Sequence, residues 1–124
     1  MCLERPLAVD TFWAPGVFEG PIREAVHRLK YRGQRAVAQL GQLMAESTAS
    51  SVAPVDVAAP VPLHSSRLRR RRYNQSLLLA RELGKTLGLA VGDVLLPKVR
   101  NSPPQVEERS REDRQSNVLG SFEC

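Results

Sequence analysis

Apolar residues along the chain change their spacing three times, and each change marks a new element. Ile22, Ala25, Val26 and Leu29 recur three and four apart, which predicts one face of a helix. Gly20-Pro21 opens that helix, since proline is pre-set for the first helical position, and Gly33 ends it. Val37, Leu40, Gly41 and Met44 predict a second helix from about Arg35 to Glu46. Ser47 to Pro54 is a small, polar connection. The spacing then tightens: Val55-Asp56-Val57-Ala58-Ala59-Pro60-Val61 is a short β-branched block, which predicts a buried strand. Pro60 and Pro62 cannot donate to a ladder, so the strand ends near them. Helical spacing returns with Leu77, Leu78, Ala80, Leu83, Gly84 and Leu87, capped by Asn74 and closed by Gly88. Val94-Leu95-Leu96 before Pro97 predicts a second strand. A strand, a crossover helix and a strand imply an α/β fold whose parallel sheet is flanked by helices.

The remaining stretches lack a period. Residues 1–20 are hairpin-like, with Ala14-Pro15-Gly16 as the turn between two extended pieces. Leu63 to Arg72 is expected as a polar loop after the first strand. Residues 100–117 are polar, contain Pro103-Pro104, and are expected as a weakly structured, mobile flap. Val118 to Phe122 turns apolar again. With 124 residues this organisation fits one domain: 1–20, then helices over 21–47, strand–helix–strand over 55–99, then 100–117. No apolar run approaches the roughly 18 residues of a membrane span, so no membrane partner is expected. No signal-peptide pattern opens the chain, and the expected location is cytoplasmic. Cys2 and Cys124 stand at opposite ends without ligand spacing, which suits two free thiols in a reducing compartment and no metal site.

Charge sharpens the picture. The net charge is +5, yet residues 1–62 balance six basic against six acidic side chains. Residues 64–91 set seven basic residues against Glu82 alone, and residues 92–124 hold five basic against six acidic. One segment therefore carries the whole excess. Fifteen of the eighteen basic residues are arginine, which grips phosphate in a two-pronged way that lysine cannot. Genomic base composition explains an arginine preference equally well, but not the clustering.

Candidate chemistry gathers at the same place. In open α/β sheets ligands bind beyond the carboxyl ends of strands. Val61-Pro62-Leu63-His64 lies at such an end, five arginines follow within residues 67–72, and a helix begins near Asn74. Helix N-termini offer free N–H groups and partial positive charge to phosphate. The anion-binding candidates are Arg67, Arg70, Arg71, Tyr73, Asn74, Gln75 and Arg81. His64 reads either as a general base or anion contact, or as a hydrogen-bonded structural histidine. Tyr73 either stacks on a base or packs in the core. Asn74 either meets a ligand or only caps. Glu107-Glu108 and Glu112-Asp113 read as a solvated face. Phosphate loops of the G-x-x-x-x-G-K-[ST] kind, G-x-G-x-x-G, H-E-x-x-H and G-x-S-x-G are absent from the sequence, and no residues form a complete catalytic set.

The motifs in order resemble the ComF family of competence-associated, phosphoribosyltransferase-like proteins. They are Leu29-Lys30-Tyr31-Arg32-Gly33, Val61-Pro62-Leu63-His64, and Arg67-Leu68-Arg69-Arg70-Arg71-Arg72-Tyr73-Asn74-Gln75-Ser76 running into Leu79-Ala80-Arg81. Pro103-Pro104-Gln105, Ser110-Arg111, Arg114 and Asn117-Val118 follow. The resemblance covers about residues 17–122. It implies a type I phosphoribosyltransferase fold, incomplete here, and a link to DNA uptake during bacterial transformation. It implies that Val61 to His64 holds pyrophosphate and that 100–117 is the substrate flap, with Gln105, Arg111 and Arg114 as its candidates. Phosphoribosyl pyrophosphate and magnesium are implied by the family alone. The loop that binds this sugar phosphate is expected beyond Cys124, so the chain reads as truncated before it, and enzyme activity is left open, with no turnover expected from these residues. Relatives carry Gly-Phe where Arg72-Tyr73 stand. A positive φ at that glycine position would strain Arg72 by roughly 1 kcal/mol or more.

Three functions follow as alternatives. The first is a phosphate- or pyrophosphate-binding half site without catalysis. The second is a module binding single-stranded DNA through its phosphates without reading sequence. The third is a half domain that depends on a partner, a competence-machinery protein among them, and exposes an apolar edge near Val118 to Phe122.

Overall fold

A computed structural model describes residues 9–31, 37–50, 54–93, 95, 97–101 and 110–122, with no side-chain detail for Lys30, Tyr31, Arg111 and Arg114. Cys2, Gly33, Gln105, Glu107-Glu108 and Cys124 lie outside the described residues. Among these residues the chain is mixed α/β. Its order is α1 (Gly20–Tyr31), α2 (Val37–Ala49), β1 (Val57–Ala58), α3 (Ser65–Arg71), α4 (Gln75–Leu87), β2 (Ala90–Val91) and α5 (Arg111–Val118).

β1 and β2 pair in parallel, Val57 opposite Ala90 and Ala58 opposite Val91. The parallel crossover is therefore present, but the strands are two residues each rather than the longer runs that the apolar blocks predict. The strand that pairs with β1 is Ala90-Val91; of the expected block Val94-Leu95-Leu96, Val94 and Leu96 lie outside the described residues. Gly88 closes α4 in the left-handed region at φ 71°, its N–H bonding Gly84 O, so the chain turns back at once and Ala90 meets the sheet. Leu95 is 53% exposed and carries no strand. Residues 9–19 bend at Pro15-Gly16 and form no strand, while residues 1–8 of the expected hairpin-like segment lie outside the described residues.

The core lies between helices. Leu29, Val37 and Leu40 are buried together, with Ala25, Val26, Leu78 and Leu79 packed on them. All of these but Leu79 sit on a face predicted by the three-to-four spacing. Gly41 lets α2 approach α4: a Cβ there would stand 2.5 Å from Glu82 Cβ. Alanine is the better helix former by about 1 kcal/mol, while overpacking costs about 1–3 kcal/mol. Gly41→Ala is therefore expected to lower the melting temperature. A rise would mean that the two helices separate freely.

Two polar stretches are more regular than their composition suggests. Ser65–Arg71 is helical rather than a loop. Its lone apolar residue, Leu68, is 42% exposed, so no apolar periodicity announces it. Arginine and leucine are good helix formers, and the last-turn residues Arg69, Arg70 and Arg71 complement the negative end of the helix dipole. The second part of the expected flap is also helical, as α5. Ser110 Oγ accepts from Asp113 N–H at 3.0 Å and donates to Asp113 Oδ2 at 2.6 Å. Glu112 and Asp113 sit in its first turn, where acidic groups are favoured. After α5 the chain returns: Lys98 and Phe122 form an antiparallel bridge, and Val99 N–H donates to Ser121 O at 3.0 Å. Ser121 is fully buried there. Part of the apolar end expected as an open edge is thus paired. Among the described residues no helix is long and apolar enough to cross a membrane.

Candidate anion site

The segment leaving β1 is fixed to the start of α4 by one side chain. Asn74 Nδ2 donates to Val61 O at 3.1 Å, while its Oδ1 accepts from Ser76 N–H at 3.0 Å. Asn74 is thus the helix cap that its position predicts, and it also anchors the strand-end loop. Between these two points the chain makes α3. His64 caps it: Nδ1 accepts from Ser66 N–H at 3.3 Å and lies 2.8 Å from Ser66 Oγ. With Nδ1 accepting, a neutral ring carries its proton on Nε2. That tautomer leaves Nε2–H as a donor, which an anion can accept.

α3 ends at Arg72, whose N–H bonds Leu68 O at 2.7 Å with φ 64° and ψ 0°. Among the described residues it is the one non-glycine with positive φ. Arg72 therefore takes the left-handed conformation that would strain a non-glycine residue. Tyr73 follows, half-buried, and its hydroxyl donates to Leu29 O at 2.5 Å. That carbonyl belongs to the last turn of α1, where helical acceptors lack intrahelical partners. Tyr73 therefore ties the joint to α1 and the core, and its hydroxyl is committed to that structural role.

The arginines divide. Arg67 and Arg71, one turn apart, are half-buried, and Arg71 Nη1 donates to Gln75 Oε1 at 3.3 Å. Arg69, Arg70 and Arg72 are exposed. Arg81 does not join them. It lies about 9 Å further along α4, at 1.5 Å per residue from Gln75, and faces Asp93 at 3.6 Å. It lines an open cleft of about 370 Å³ with Val37, Ala38, Leu78, Glu82 and Lys85. Lys85 is held there by Glu82 at 2.6 Å. Of the flap candidates, Arg111 and Arg114 fall on α5, and Gln105 lies outside the described residues.

Lys98, from a distant segment, comes within electrostatic reach of Arg67. Lys98 is half-buried, with Nζ 5.5 Å from the Phe122 ring centroid. Partial burial first, and then the nearby positive charge of Arg67, pull its pKa below the usual lysine value. Sequence spacing gives no hint of this, because the return of Phe122 onto Lys98 is a tertiary event. Among the described residues no three His, Cys, Asp or Glu side chains gather as a metal site. Asp93, just past β2, is engaged by Arg81.

These features define a mixed α/β domain whose parallel crossover carries a basic helix, a left-handed joint and a capped helix start. No protein-family model, curated protein or solved structure matches the chain.

Proposed function

We propose that residues 64–76 form a phosphate- or pyrophosphate-binding half site in a cytoplasmic, ComF-like protein of the phosphoribosyltransferase type, linked to DNA uptake. The observation that carries this reading is the clamp of Asn74 on Val61 O, which puts the basic helix and the start of α4 at the carboxyl end of a parallel strand. Arg67 and Arg71 face the ligand first, with Gln75 orienting Arg71, His64 offering Nε2–H, and Lys98 adding charge from a distant segment. In this reading the site binds and orients its ligand, and no group transfer is assigned to it. Arg81 belongs to the α2–α4 cleft instead. Calorimetric titration with pyrophosphate at low ionic strength tests the reading. Saturable binding that weakens with added salt is expected, and a folded protein that releases no heat would refute it.

A second reading has its own observation. Val55, Val57 and Val61 are 47%, 43% and 65% exposed around a sheet of two short strands. Parallel sheets are ordinarily covered, and small ones gain stability from further strands. A partner-dependent domain therefore predicts self-association or poor solubility, and a monodisperse monomer in light scattering would count against it.

A further inference from the structure

We propose that Arg72 is itself a contact for the phosphorylated ligand, an outer arginine held at a backbone position that disfavours it. The inference rests on the anion-site reading above and adds to it a residue that is not among the candidates drawn from sequence.

Arg72 stands at φ 64°, where a Cβ crowds the backbone and glycine is the favoured occupant. Its peptide N–H does the capping work, closing on Leu68 O, and a glycine N–H would do the same. The side chain adds nothing to the fold: it is exposed and makes no hydrogen bond or ion pair among the described residues. Arg69 and Arg70 share both properties. The basic segment therefore has an engaged inner pair, Arg67 and Arg71, and an outer set whose guanidinium groups point to solvent. Arg72 lies between Arg71, which grips Gln75, and Tyr73, which is pinned to Leu29 O, so its Cα has little freedom to move. A fixed Cα with a free, permanently charged fork is suited to meeting a second phosphate beyond the one the inner pair holds. The ligand class is accordingly one with two adjacent phosphates, as in pyrophosphate.

The strain and the contact act in opposite directions, which makes the test sharp. Arg72→Gly is expected to raise the melting temperature by about 3–6 °C and to weaken pyrophosphate binding about five- to tenfold at low salt. Arg72→Lys keeps both the charge and the strain. It is expected to melt with the natural chain and to bind within about threefold of it, since lysine retains the charge but not the fork. Unchanged pyrophosphate affinity in Arg72→Gly, in a protein whose Arg67→Gln variant does weaken, overturns the inference and leaves the anion site standing. A lower melting temperature in Arg72→Gly overturns the premise of strain. Absence of pyrophosphate binding in the natural chain removes the site, and the inference with it.

Discussion

Pyrophosphate affinity is expected to fall about a hundredfold when Arg67 and Arg71 are both replaced by glutamine. Each guanidinium supplies a charge-assisted contact of about 1.5 kcal/mol or more, and a tenfold change corresponds to about 1.4 kcal/mol. The two residues lie one turn apart on α3 and are half-buried, so their charge is screened less than that of the exposed Arg69 and Arg70. The fold should survive, because α3 is held by its caps and contributes no buried residue. Circular dichroism checks the fold and calorimetry the affinity. A loss of less than threefold would mean that the inner pair is not the grip. Arg81→Gln serves as the contrast: its guanidinium faces Asp93 along α4, and its removal is expected to leave pyrophosphate binding within about twofold, because exposed pairs contribute little.

Leu29→Ala is expected to destabilise the protein by about 3 kcal/mol and to lower its melting temperature by about 10 °C or more. Leu29 is 2% exposed and sits at the meeting of α1, α2 and α4. Among the described residues it is the most fully buried of the large apolar side chains. The same residue's carbonyl accepts from Tyr73, so slackening α1 also loosens the joint beside the anion site. Denaturant unfolding of the two proteins gives the difference. A change under 1 kcal/mol would show that the α1 contact is peripheral.

The helices of the core were legible because their apolar residues repeat at three and four, and burial follows that stripe: Leu29, Val37, Leu40 and Ala80 are all buried. The caps were legible because Asn74 and Gly88 have chemistry that suits single backbone positions. α3 was not legible. It buries none of its residues, and a helix held by caps and a dipole leaves no apolar period to read. Helix α5 hid for the same reason, its polar run disguising a Ser110–Asp113 cap. The strands were misplaced in length and register, since short apolar blocks next to proline do not say which two residues will pair. The basic segment was legible as charge, but its division was not. The inner pair, the strained Arg72 and the arrival of Lys98 all depend on how α3 packs and where Phe122 returns. Arg81 looked like a member of the cluster by proximity in sequence, and helical rise carries it away.

The most direct measurement is a map of backbone amide shifts by nuclear magnetic resonance as pyrophosphate is added to the natural chain at low salt. Binding at the basic helix and the capped start of α4 predicts that the largest shifts cluster between His64 and Ser76 and at Lys98, saturating together. Shifts spread evenly over every basic surface, or centred on Arg81 and Lys85 in the α2–α4 cleft, would contradict it.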